Sequence, residues 1–263
     1  AVPEGGGGAT PAMLRTTAHP HAIKGHVFTA IVAIDLRRID LRLVAGTEEP
    51  KSKSVPPEHR PGLVAADDLA SLIAVFNGGF MAKHGGWGMM LAGETYVPPR
   101  DEGCTIGLYK DGGVRIGSWP ALKESEPSMA AYRQTPPCLV EKGELHPVLL
   151  SEPETKKWGS SETGEREIRR SALGLDASRR TLFYGMGEWM SARGLAESML
   201  AAGAVDVAEI DINWSYTRFL FFGHPAPGDP LQVTSTLVPK MKFVSQGYVK
   251  KPSDRDFFYL KKR

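Results

Sequence analysis

Apolar positions along this chain fall in short runs separated by dense turn signals, a pattern of strands rather than of long helices. Residues 27–36 and 39–45 are rich in β-branched and aliphatic side chains with Arg37-Arg38 between them, which predicts a β-hairpin. Residues 46–62 hold Lys51, Lys53, Pro56, Pro57 and Pro61 without an apolar period, as in a surface loop. Leu63, Ala66 and Ala70 recur at near-helical spacing with Asp67 and Asp68 early, so a short helix is predicted over 64–71. It feeds Leu72-Ile73-Ala74-Val75-Phe76, a continuous apolar run that fits a buried strand and stops at Asn77-Gly78-Gly79.

Between 85 and 119, Gly85-Gly86, Gly93, Pro98-Pro99, Gly103 and Asp111-Gly112-Gly113 interrupt short apolar stretches such as 105–109, predicting a meander. Residues 120–169 turn polar and proline-dotted, and 151–169 contain almost no apolar side chain, so a mobile loop is expected there. Residues 171–175, the turn Asp176-Ala177-Ser178 and residues 180–184 predict a second hairpin. A helix follows over 194–202, with Leu195 and Met199 on one face and Gly203 as its stop, and then a strand over 205–212.

Composition narrows the class. Gly and Pro number 29 and 20 in 263 residues, which suits strands joined by turns. Lys and Arg total 32 against 30 acidic residues, and a net charge of +2 is too small for a nucleic-acid footprint. No apolar run approaches the ~20 residues that span a bilayer. Residues 1–25, opening with Ala1-Val2-Pro3-Glu4 and running through Gly5 to Gly8, are expected to form a flexible leader of the kind left after an export segment or lipid anchor, or an ordinary frayed terminus. Cys104 and Cys138 lack CxxC spacing and form either one disulfide or two buried thiols.

The candidate chemistry gathers at strand ends. With a period of two, Ala208, Ile210 and Ile212 fall on one face of the 205–212 strand, while Glu209, Asp211 and Asn213 fall on the other. Two carboxylates and a carboxamide in a row, next to Trp214, Tyr216 and 219–222, make a candidate active site; a polar strand edge gives the same pattern. Asn77-Gly78-Gly79-Phe80 combines a donor–acceptor amide with two glycines that allow close backbone approach, as a tight turn also does. Arg170 opens a strand with a guanidinium fork suited to phosphate, or lies on the surface. His84 is a candidate acid–base group. Ser71, Ser171 and Ser215 lie in no GxSxG elbow, which leaves a serine hydrolase without support.

These segments, in the order Asn77-Gly78-Gly79-Phe80, Arg170-Ser171-Ala172-Leu173-Gly174, then Gly203-Ala204-Val205 leading to Asp211, resemble the phosphodiester glycosidase family over residues 27–222. The family's matching segments read Asn-Gly-Gly-Phe, Arg-Thr-Ala-Ile-Gly and Asp-Gly-Gly-Gly-Ser. Asp211 and Ser215 stand where the last motif's Asp and Ser would, but Ile212, Asn213 and Trp214 replace its glycines, and Trp214 is expected to reshape or partly fill the pocket. Gly185-Met186-Gly187-Glu188 stands where the family often has an acidic-Gly turn.

The resemblance implies an α+β domain over 26–263, a mixed or antiparallel sheet meander with a few helices. It implies an exported hydrolase, secreted, periplasmic or attached to the cell envelope, that cleaves a sugar phosphodiester or related glycan. Asp211, Arg170, Asn77 and Glu209 would be catalytic, and Gly78, Gly79, Phe80, His84, Asn213, Trp214 and Ser215 would bind substrate. The alternative is a catalytically silent member that binds a glycan or a protein in the same cleft. No cofactor is required by the motifs; calcium or magnesium is the candidate, since Glu209, Asp211 and Asn213 are oxygen ligands.

Overall fold

Three antiparallel sheets share one hydrophobic core in the computed structural model, which describes residues 11–20, 27–151 and 156–263. The seven-stranded sheet runs in the order Met13–Ala18, Thr29–Asp35, Thr181–Met190, Ile168–Leu175, Asp206–Glu209, Val140–Glu141 and Glu144–Leu145. A five-stranded sheet runs Gln232–Thr236, Phe219–Gly223, Leu72–Asn77, Phe257–Lys262 and Ile39–Val44. The other five-stranded sheet runs Glu94–Val97, Met89–Leu91, Met129–Thr135, Cys104–Tyr109 and Val114–Ser118. The fold is α+β, as the family resemblance implies.

The strand Ile168–Leu175 is buried at every position because its sheet is covered on both faces. Leu173 and Leu175 join the core between the sheets, while Ala172 lies in a second cluster with Leu195, Ala196 and Met199 of the helix Ala192–Ala201. Ser191 caps that helix by accepting the Gly194 N–H at 3.0 Å. Gly203, at φ +102°, ends it as expected, in a conformation that favours glycine.

The hairpin over 168–190 forms, with Leu175 opposite Leu182. The one expected over 27–45 does not. Thr29–Asp35 has Met13–Ala18 on one edge and Thr181–Met190 on the other, and Ile39–Val44 pairs instead with Phe257–Lys262 in a different sheet. Asp35 accepts the Arg37 N–H at 3.0 Å and its guanidinium at 2.8 Å, so the link turns tightly while its strands part. The helix expected over 64–71 is the 3-10 turn Ala66–Ser71. The meander is interrupted, because Met129–Thr135, from the segment read as polar, inserts between its two hairpins.

Within the expected leader, Met13–Ala18 is an edge strand; its residues 1–10 and 21–25 lie outside the described residues, as does residue 26, where the expected domain begins. The expected mobile loop over 151–169 includes residues 152–155, also outside them, but Trp158 is fully buried and its indole N–H donates to the Pro137 carbonyl at 2.7 Å. Cys104 and Cys138 form a disulfide between the Cys104–Tyr109 strand and the segment entering Val140–Glu141. No helix among the described residues is long and apolar enough to cross a membrane.

Candidate active site

Three strand ends converge where two sheets meet. Phe257 lies opposite Asn77, so Asp256 falls beside Gly78, whose N–H donates to the Asp256 carbonyl at 3.1 Å. From the third side the chain leaves the strand Asp206–Glu209. Ile210 N–H then donates to the Ser171 carbonyl at 2.9 Å, and Asp211 N–H to the Gly78 carbonyl at 2.9 Å. The strand expected over 205–212 therefore ends early, and Asp211 ties the two sheets together.

Asn77 organises this junction from below. Its Oδ1 accepts the Tyr184 hydroxyl and the Arg218 N–H, each at 3.1 Å, and its Nδ2 donates to Ser171 Oγ at 3.0 Å. Ser171 Oγ donates in turn to the Asp211 carbonyl at 2.7 Å. Tyr184 and Phe76 pack 5.1 Å apart, ring centre to ring centre, so this polar chain rests on the aromatic core. Asn77 thus positions the Asp211 main chain.

Gly78 and Gly79 approach an internal ion pair. Asp256 Oδ2 accepts Gly79 N–H and Arg133 Nε–H, both at 2.9 Å, and both side chains of the pair are fully buried. A Cβ on Gly78 would overlap the Asp256 carboxylate and carbonyl; one on Gly79 would sit 2.7 Å from the Arg133 guanidinium carbon. Arg133 also donates to the Phe80 carbonyl at 2.5 Å and the Trp87 carbonyl at 3.0 Å, fixing the chain after the glycines. Phe80 packs inward with Trp87, Ile168 and Ile212.

Asp211 pairs with Arg255, which also donates to the Gly79 carbonyl at 3.2 Å. Asp211 Oδ1 accepts the Ile212 N–H at 2.9 Å. The residue is only 6% exposed, and burial pushes its carboxyl from 3.8 up to about 7 against the pull of Arg255. A carboxyl there holds or releases a proton near neutrality, as acid–base work requires.

Glu209 does not share that environment. It is fully buried and accepts from Arg170 at 2.7 Å. Arg170 further donates to the carbonyls of Trp158 at 2.8 Å, Gly159 at 3.1 Å, Met190 at 3.0 Å and Arg166 at 2.9 Å. Every guanidinium nitrogen of Arg170 thus donates within the protein, clamping residues 158–166 onto the sheet. Glu209 and Asp211 are thus paired with different arginines, and among the described residues no group of three or more His, Cys, Asp or Glu is placed to hold a metal ion.

Of Ile212, Asn213 and Trp214, only Asn213 takes a left-handed backbone. Asn213 adopts φ +76°, in the left-handed region where Asn is among the better-tolerated side chains, and its N–H donates to the Arg169 carbonyl at 2.8 Å. Ile212 is buried. Trp214, expected to intrude on the pocket, is 48% exposed and stacks outside on Arg169, the guanidinium carbon 3.6 Å from its ring centre. Arg169 pairs with Glu188 on the neighbouring strand.

A cleft of about 510 Å³ is lined by Phe80, His84, Asp211 and Asn213 among the expected residues, together with Lys83, Lys156 and Arg255. Burial, then Lys83 and Arg255, lowers the pKa of His84, which stands exposed at this wall. A smaller pocket of about 200 Å³ is lined by Asn77, Gly78, Asp211 and Ser215, with Arg218, Tyr248 and Arg255. Asp211, Tyr216 and Arg255 border both. Glu209, Arg170, Gly79 and Trp214 line neither.

Sequence reasoning missed Arg255, Asp256 and Arg133. The first two precede Phe257-Phe258-Tyr259-Leu260, an apolar run of the same kind as the one that led to Asn77, so its entry carried a usable signal. Arg133 gave none, lying in a segment that reads as polar.

No protein-family model matches the chain, and no curated protein matches it in sequence. Among solved structures it is similar to the zebrafish N-acetylglucosamine-1-phosphodiester alpha-N-acetylglucosaminidase catalytic domain, auto-inhibited by pro-peptide. The TM-score is 0.55 and the identity 15%, over 97% of this chain and 85% of that one. A hypothetical protein from Synechocystis is similar with a TM-score of 0.54 and 12% identity, over 95% of this chain and 61% of that one. At these identities the likeness is one of fold, and the three-sheet α+β body of this chain is of the kind found in that glycosidase domain.

Proposed function

We propose that this chain is a glycosidase-type hydrolase that cleaves a sugar phosphodiester, with Asp211 as the group that moves the proton. The observation that carries the reading is a buried carboxyl, raised to about 7, at the border of a cleft whose wall holds Lys83, Lys156 and Arg255. The likeness in fold to a phosphodiester glycosidase domain supports the choice of substrate class.

When the bond between an anomeric carbon and a phosphodiester oxygen breaks, the departing phosphate monoester gains negative charge and is a good leaving group. The cationic wall offsets that charge. The harder task is activating water at the anomeric carbon, and ionised Asp211 accepts the proton that water gives up. Each of its oxygens has a second lone pair beyond the bonds from Arg255 and Ile212. Asn77, Arg170 and Glu209 act here by positioning, while Phe80, His84 and Asn213 face the substrate from the larger cleft and Gly78 and Ser215 from the smaller pocket. Export fits the Cys104–Cys138 disulfide, since such bonds persist in oxidising compartments.

The Asp211–Arg255 ion pair favours one other reading, a member that binds a glycan without turning it over. Incubation with α- and β-hexose 1-phosphodiesters, scored by sugar release, separates the two. Asp211→Asn is expected to lose about 10²–10⁴-fold in rate. Equal turnover by Asp211→Asn removes Asp211 from the mechanism, and glycan binding that survives the substitution with no turnover by either protein establishes the binding reading.

A further inference from the structure

Arg255 has more hydrogen-bonding capacity than the fold uses. Its Nη2 serves Asp211 and the Gly79 carbonyl, while Nε and Nη1 are buried and meet no acceptor among the described residues. Leaving guanidinium donors buried and unmet is costly, more so than for a neutral group. Tyr216 packs over the guanidinium, its ring centre 4.4 Å from the guanidinium carbon. Tyr216 is itself 38% exposed and sits on the short turn after Asn213, held there by a bond from its N–H to the Asn213 carbonyl at 3.2 Å. Its displacement would open that face of the guanidinium without disturbing a strand.

The surroundings favour an anion. Arg255 borders the 510 Å³ cleft, the 200 Å³ pocket and a third cavity of about 220 Å³. Lys83 lines both the cleft and the third cavity, Lys156 lines the cleft and Lys51 the third cavity. Acidic groups are present as well: Asp211 and Glu162 in the cleft, and Glu48, Glu49 and Asp254 in the third cavity. Of these, Asp211 is already joined to Arg255, and Glu49 accepts the N–H groups of Ala82 at 2.9 Å and Lys51 at 3.1 Å.

We propose that Arg255 is the receptor for a phosphate or phosphodiester oxyanion in the cleft, donating its unmet Nε–H or Nη1–H to one of the oxygens once Tyr216 moves off the guanidinium. The two unmet donors point from different edges of the planar group, so the oxyanion takes a single charge-assisted bond from a cation that keeps its charge at any working pH. The proposal rests on the phosphodiester reading for its choice of ligand, but it requires no turnover.

Inorganic phosphate titrated into the full chain, followed by calorimetry at constant ionic strength, tests it. Wild type is expected to bind at one site, Arg255→Gln about tenfold or more weakly, and Arg255→Lys in between. Arg115→Gln, which removes the same charge from the Val114–Ser118 strand, is expected to bind like wild type. Tyr216→Ala is expected to bind at least as tightly as wild type, because no ring has to be displaced. Unchanged binding by Arg255→Gln, equal losses in Arg255→Gln and Arg115→Gln, or no binding by wild type at millimolar phosphate overturns the proposal. If Arg255→Gln does not fold, the ¹⁵N resonance of wild-type Arg255 Nε decides: it shifts with phosphate, or the proposal is wrong. Phosphate binding through Arg255 without turnover of any sugar phosphodiester sinks the reaction and leaves this site standing; turnover without phosphate binding does the reverse.

Discussion

The main-chain N–H of Gly79 points at Asp256 Oδ2, 2.9 Å away, across a sequence separation of 177 residues. That oxygen is buried and shared with Arg133, so the turn after Asn77 is held by an ion pair from two other strand regions. Gly78→Ala places a Cβ into the Asp256 carboxylate and carbonyl, where main chain must shift. An expected loss of about 1–3 kcal/mol, at the upper end because the obstacle includes backbone, is measurable by denaturant unfolding. A neutral Gly78→Ala would show that Asp256 does not pack as described.

Removing one partner of the Arg133–Asp256 pair leaves the other charge stranded in the core. Asp256→Asn or Arg133→Met alone is expected to cost about 3–5 kcal/mol, and the double variant less than the sum of the two. Additive losses in the double-mutant cycle would mean the two side chains act independently.

The titration of Asp211 links stability and activity to pH. Its carboxyl is raised from 3.8 to about 7, so the native state holds this proton where the unfolded chain has released it. The associated stability is fully present below about 3.8 and is lost as pH rises through about 7. Wild type is therefore expected to lose stability relative to Asp211→Asn across that window, with a flat difference on either side. If Asp211 is the base, kcat/KM rises with pH through about 7 to a plateau. A pH-independent stability difference would place the native carboxyl near its ordinary value.

Local patterns in the sequence were enough for the elements whose causes are local. The apolar run ending at Asn77, the 168–190 hairpin and the helix stopped by Gly203 depend on burial periodicity, turn residues and a left-handed glycine, all written in neighbouring positions. Strand partners are a different matter. Residues 27–45 carry a hairpin's pattern, yet both edges of Thr29–Asp35 are taken by strands distant or earlier in the chain, and periodicity does not name partners.

The site divides the same way. Asn77 and Asp211 were legible because each polar residue follows an apolar run and so marks a strand end. Alternation also put Glu209 beside Asp211, but the strand ends between them, and Arg170 and Arg255 claim one carboxylate each. The glycines after Asn77 looked suited to a ligand's approach; the closest groups are Asp256 and Arg133, brought there by long-range pairing. Sequence alone determined which short segments are apolar, where they stop and which polar residues stand at the stops, because those are properties of neighbours. Only the tertiary structure decided which charges neutralise one another and which carboxyl is left to titrate near neutrality, because burial and ion pairing depend on what other parts of the chain bring to the same place.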